Sequence, residues 1–247
     1  MNRIVRDKVN KGFALIVIVI FFFIALSIML KYKNEGETNM PFVINELLVV
    51  SSADANTKAE NTNNNRWNLD INQYNDVYID IKKNDNYEKN SLIKSVRIEN
   101  IRMDRPQKGN VEIYMPSTNE SKLFSYEDNL KVNGSFEYKG GAQTNPKTLT
   151  IANQGGNVIF RIVNKNVSEF VSNEDAEIAY DGTLLAKTNV NVEDIKFNIT
   201  FDIVIETNET TFRGTKTLSL PCQSVQTEGV SKLKDENCKD IIFKREN

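Results

Sequence analysis

Eighteen consecutive residues from Phe13 to Leu30, FALIVIVIFFFIALSIML, carry no charge and a single hydroxyl, that of Ser27. A helix in water needs a polar face, and this run offers none. The hydrocarbon layer of a bilayer takes about 20 apolar residues at helical rise. The run therefore predicts a transmembrane helix over 13–30. A cleaved signal peptide is the rival reading. Its apolar core is about 7–15 residues with a small-residue site soon after. Here the A-x-A match, Ala53-Asp54-Ala55, lies more than twenty residues beyond Leu30, so an uncleaved single-pass anchor is expected.

Charge sets the expected orientation. Arg3, Arg6, Lys8 and Lys11 precede the run, whereas Lys31 and Lys33 follow it beside Glu35 and Glu37. The positive-inside rule then makes residues 1–12 a basic cytoplasmic tail and places the C-terminal domain outside the cell membrane. Of 31 basic and 33 acidic residues, six and one lie before position 34, leaving 25 against 32 beyond it. An acidic ectodomain gives no electrostatic basis for binding nucleic acid. The chain has no histidine. That excludes His-based acid–base work, Ser–His and Cys–His nucleophiles, and His-containing metal sites.

Beyond the span, residues 31–65 read as a juxtamembrane segment and flexible linker. Within them Phe42–Val50 is a first strand or a short interfacial helix, since nine residues do not separate the two periods. SSADANTKAENTNNN, 51–65, has no aromatic or branched aliphatic side chain and reads as the linker proper. The folded domain is expected over 66–247, from Trp67 onward. Val77, Ile79 and Ile81 alternate with polar or half-polar neighbours, the period of a half-buried strand. Leu92–Met103 alternates and then changes phase at Asn100–Ile101, which predicts a bulge. Val111, Ile113 and Met115 mark another strand. Asn133-Gly134 and Asn153-Gln-Gly-Gly156 are hairpin signals, and Asp181-Gly182 marks a turn before a short strand at Thr183–Leu185. VIFRIV, 158–163, is apolar on both faces apart from Arg161 and should run centrally. The clearest strand is Asp194–Glu206, with Ile195, Phe197, Ile199, Phe201, Ile203 and Ile205 in one phase and Val204 as the exception. It should pair with Thr211–Leu220, and Ile241–Phe243 should be a last strand. Strand after strand, with no long amphipathic helix, predicts an all-β, antiparallel β-sandwich behind one N-terminal transmembrane helix.

Candidate chemistry is sparse. Cys222 and Cys238 lie on the expected outer side, where a disulfide is the default; two free thiols are the alternative. Asp70, Asn72, Asn75 and Asp76 have calcium-loop-like spacing but lack the turn glycine and closing glutamate, so a surface turn is expected there. Glu174, Asp175 and Glu177 read as a solvated loop. Ser91 and Lys94 match S-x-x-K but fall on an expected strand, where residues three apart face opposite ways. The N-x-S/T sequons at Asn119, Asn133, Asn166, Asn198 and Asn208 are what an Asn-rich chain produces. No catalytic, cofactor-binding or metal-binding residue is assigned.

The chain carries two resemblances. The basic tail, the span, WNLDINQYNDVYIDI, NQGGNVIFRI and DGTLLAKTNVNVEDIKFNITFDI resemble uncharacterised single-pass membrane proteins of low-GC Gram-positive bacteria with an extracytoplasmic β-domain. That resemblance implies place and architecture, and no activity. Lys11-Gly12-Phe13 after a short basic leader resembles the processing site of type IV pilin-like proteins, which implies cleavage between Gly12 and Phe13. The family's usual glutamate at the fifth mature position is Val17 here. The functional expectation is a membrane-anchored extracytoplasmic binding or scaffolding module of the bacterial cell envelope, with no enzyme activity and no cofactor. Its expected partners are the membrane, through residues 13–30, and an envelope protein or polysaccharide. A pilin-like or secretion-machine assembly subunit and a carboxylate-based envelope hydrolase are the alternatives.

Overall fold

The computed structural model describes residues 3–61, 66–117, 123–129, 134–171, 183–236 and 238–246. Helix α1 spans Arg3–Glu35. Strands β1 (Phe42–Asn61), β2 (Arg66–Lys83), β4 (Asn110–Pro116), β5 (Phe124–Asn129), β8 (Gly155–Val171) and β11 (Val230–Glu236) form sheet A in the order β11-β1-β2-β8-β4-β5. Strands β3 (Ile93–Met103), β6 (Phe136–Gly140), β7 (Thr150–Ile151), β9 (Phe197–Thr207), β10 (Thr211–Leu220) and β12 (Lys244–Glu246) form sheet B in the order β12-β10-β9-β3-β6-β7. Neighbours pair antiparallel except β6 with β7. One-turn helices α2 (Leu184–Lys187), α3 (Val192–Ile195) and α4 (Val225–Glu228) complete the described elements. The chain is thus an antiparallel β-sandwich behind one apolar helix.

Alternation builds the core. Val77, Ile79 and Ile81 of sheet A and Ile199, Phe201 and Ile203 of sheet B are each fully buried in one cluster that joins the two inner faces. Tyr138 on β6 crosses the gap. Its hydroxyl donates to the Ile159 carbonyl of β8 at 2.8 Å and accepts from the Ile159 N–H at 3.1 Å. The expected bulge is present: pairing of β3 with β9 shifts between Glu99 and Arg102, and Asn100 takes φ +52. VIFRIV is central, flanked by β2 and β4.

Sheet A outruns sheet B. The far halves of β1, β2 and β8 are roofed by the three short helices instead, and this makes a second apolar cluster of Ala53, Leu69, Ile71, Val167, Leu184, Leu185 and their neighbours. A polar belt separates the two clusters. The Ser51 hydroxyl donates to Asn75 Oδ1 (2.7 Å), Gln73 and Asn75 exchange amide bonds of 2.9 Å, and the Cys222 N–H donates to Ser51 Oγ (3.0 Å). Fully buried amides stay in place only when so paired.

The structure departs from several of the expected elements. Through Asn61 the supposed linker is the far half of β1, so the sandwich begins at Phe42; residues 62–65 lie outside the described residues. Asp70, Asn72, Asn75 and Asp76 sit within β2, not in a turn. The segment at Thr183–Leu185 enters α2, and Asp194–Ile195 belongs to α3, which Lys196 alone separates from β9. Asn153–Gly156 does reverse the chain, with the Gly155 N–H on the Ala152 carbonyl. It is a crossover, however, because β7 leaves sheet B and β8 enters sheet A. Residues 130–133 and 172–182, with the acidic loop and the Asp181-Gly182 turn, lie outside the described residues.

Phe13–Glu35 is long and apolar enough to cross a membrane, and its apolar side chains lie open, Phe21 at 68% and Met29 at 70% exposure. Only 36–41 separate it from β1. The Glu37 N–H donates to the Phe243 carbonyl (2.7 Å), the Arg245 N–H to the Tyr32 hydroxyl (3.1 Å), and Arg245 pairs with Glu37 (2.7 Å). Gly36 has φ +70, and a Cβ there would lie 2.3 Å from the Phe243 carbonyl oxygen, so glycine is required.

Candidate functional site

The C-terminal residues organise one edge of the sandwich. Ile241 and Phe243, expected as a strand, instead form a plug against β10 and join the main core. Gly214 on β10 makes room for them: a Cβ there would meet Ile241 at 2.6 Å and Phe243 at 3.0 Å.

Beside this plug lies Lys216, which stands opposite Phe201 in the β9–β10 ladder and so faces inward, only 5% exposed. Its ammonium donates to Asp235 on β11 and to both oxygens of Asp240 at 2.9 Å. Burial disfavours the charged amine, but the two carboxylates outweigh it and push its pKa above the usual lysine range. The sequence held the signal. In TFRGTKTLSL, Lys216 is in phase with Phe212, Leu218 and Leu220, and an inward charge on a strand near a sheet edge also discourages strand addition there.

The expected Cys222–Cys238 bridge is corrected. Both residues are buried free thiols. Cys222 sits beside Ser51, while Cys238 lies beside Leu47, four residues back along β1. Those two positions on β1 lie about 13 Å apart along the strand, and the two sulfurs are not joined. The Cys238 thiol instead faces the Asp235 carbonyl at 3.5 Å, and burial pushes its pKa up to about 11.

The outer face of sheet B carries an ion ladder. Arg97 binds Glu99 (2.6 Å) and Glu206 (3.1 Å), and Arg213 binds Glu99 and Asp202 (2.9 Å each) and also Glu246. Asn100 and Thr215 add bonds to Asp202 of 2.8 and 2.7 Å. Val204, the exception in its strand's alternation, is fully buried on this face opposite Arg97 and Arg213. Burial works against the charge of Glu99 and of Asp202. Hydrogen bonds from Arg97 and Arg213 at Glu99, and from Asn100, Thr215 and Arg213 at Asp202, outweigh it and hold both carboxyls below their usual range. Around the ladder Asn198, Thr215, Thr217 and Ser219 are exposed.

A groove of about 410 Å³ opens next to the ladder, between β10 and the C-terminal segment, with Arg213, Asp240, Ile242, Lys244, Arg245 and Glu246 among its walls. A second cluster lies on the outer face of sheet A. Asp76 holds Arg161 through two bonds of 2.6 and 2.8 Å, and the Arg161 guanidinium stacks over the rings of Tyr74 and Phe124. Ser91 bonds Asn208 (3.3 Å) and precedes β3. Among the described residues no group of three metal-capable side chains converges. Compared with protein-family models, curated proteins and solved structures, the chain matches none.

Proposed function

We propose that this chain is a single-pass membrane protein of the bacterial cell envelope, its N-terminus cytoplasmic and its sandwich extracytoplasmic. The sandwich holds an envelope protein or polysaccharide and does no chemistry of its own. The observation that carries this reading is the clamped junction. Six residues, with two hydrogen bonds and one ion pair between 32–37 and 243–245, join an open apolar helix to the sandwich, so the domain is presented at a set height. The basic residues before Phe13 support the orientation. The hydroxyl- and amide-bearing face of sheet B, with exposed Asn198, Thr215, Thr217 and Ser219, offers the donors and acceptors that a polar partner requires. Glu99 and Asp202 are held ionised, the reverse of the raised carboxyl that a glycosidase acid needs.

The test uses the full chain in lipid nanodiscs. Purified envelope polysaccharide and candidate envelope proteins should retain it, and Thr217→Arg with Ser219→Arg should abolish retention while the fold persists. Hydrolysis of the polysaccharide by the purified chain, lost in Asp202→Asn, would replace this reading with the hydrolase. Protease added to intact protoplasts should digest the sandwich and spare a tag at Met1.

A further inference from the structure

We propose that the groove between β10 and the C-terminal segment seats the phosphate headgroup of an anionic phospholipid from the bilayer that α1 enters. The inference rests on the reading of α1 as a membrane span. Tyr32 lies two residues past Leu30, the last of the apolar run, about 3 Å along a helix axis. The polar layer of a bilayer is roughly 5–7 Å deep on each side, so the Tyr32 hydroxyl falls within it, where tyrosines concentrate. That hydroxyl accepts the Arg245 N–H at 3.1 Å. Strand β12 is therefore held at headgroup depth, and the groove beside it opens there.

Its walls suit such a ligand. Each acid on them already serves a cation: Asp240 binds Lys216, and Glu246 binds Arg213. Arg245 is likewise engaged, by Glu37. Among the described residues Lys244 has no ion-pair partner, nor does Lys239 earlier in the same segment. Lys239 lines a smaller cleft on the other side of the plug, about 170 Å³, shared with Glu35 and Glu37. Ile242 is 40% exposed, although its side chain packs on Gly36 at the helix end. A free ammonium beside an open isoleucine at the exit of the span matches a phosphate above its acylated glycerol, since cations near an anionic bilayer are drawn to it and apolar side chains dip beneath the headgroups.

Hydrogen exchange on the full chain tests this, in nanodiscs of phosphatidylcholine alone and in discs that also hold phosphatidylglycerol. Amides of 239–246 should exchange about fivefold more slowly with the anionic lipid, the factor one lysine contributes near a charged surface, while those of β9 should not change. Lys244→Gln, which keeps the strand and removes the charge, should lose most of the gain, and Lys239→Gln with Lys244→Gln all of it. Equal exchange in the two discs, or a gain that survives the double substitution, overturns the proposal. So does the same slowing produced by inorganic phosphate over phosphatidylcholine discs, which would make the groove a free-anion site. A chain that does not enter discs at all overturns the membrane reading and this inference together.

Discussion

The rings of Phe160 on β8 and Phe201 on β9 meet edge to face across the sandwich, centroids 5.4 Å apart and planes at 85°. Both are fully buried, and Phe136 adds a second edge contact to Phe160. Phe201→Ala should cost ~3–5 kcal/mol, the loss of a large buried ring plus the cavity it leaves. Ser219→Ala, on the exposed face, should stay within ~0.5 kcal/mol. Chemical denaturation of the full chain in detergent measures both; comparable losses would mean the outer face is also packed.

Lys216 is an ion inside an apolar wall, and breaking such a group differs from replacing it. Lys216→Met should cost less than ~1 kcal/mol, because Asp235 and Asp240 are partly open and regain water. Asp235→Asn with Asp240→Asn should cost ~3–5 kcal/mol by stranding a buried ammonium. Its raised pKa fixes the sign with pH. The contribution is complete below the usual lysine value of about 10.4 and is lost as pH rises through the folded value. An alkaline loss of stability equal in wild type and Lys216→Met would show that Lys216 is not its source.

Glu99 and Asp202 work at the opposite end of the scale. Their folded pKa values are lowered, so the ladder stabilises the fold above their usual values of about 4 and that stability is lost as pH falls through the folded ones. Unfolding free energy should fall below about pH 4, and Asp202→Asn should flatten part of that fall. A variant with the wild-type acid slope would place the slope elsewhere.

The cysteines should be silent while the chain is folded. With Cys238 pushed up to about 11 and both side chains buried, iodoacetamide at neutral pH should modify neither. Under denaturant and without reductant, two adducts should form on every molecule. A bridged fraction seen by intact mass would mean that the segment around Cys238 moves far enough to reach Cys222.

What could be read from the sequence was whatever large side chains announce. The apolar alternation through Phe197, Ile199, Phe201, Ile203 and Ile205 placed β9, although Ile195 at its start belongs to α3, and the phase slip at Asn100 placed the bulge in β3. The far half of β1 was hidden because its inward residues, Ser51, Ala53 and Ala55, are too small to register as a hydrophobic period. They nevertheless face a polar belt and a helix roof. One-turn helices such as Leu184–Lys187 are shorter than the period that would reveal them. Ile241 and Phe243 alternate like a strand, yet they fill a gap created by Gly214, a contact between distant segments that no local window holds. The same distance hid the ion partners of Lys216 and the separation of the two thiols.

The clamp at Gly36 and Glu37 has a mechanical consequence. A helix tied to its domain through a long tether can spin freely beneath it; one tied through six residues and the Arg245–Glu37 pair cannot. Any rotation of α1 about its own axis turns the sandwich with it like a vane on a shaft. Two such helices meeting in a bilayer would therefore also select which edges of their sandwiches, β11 or β5, come to face each other.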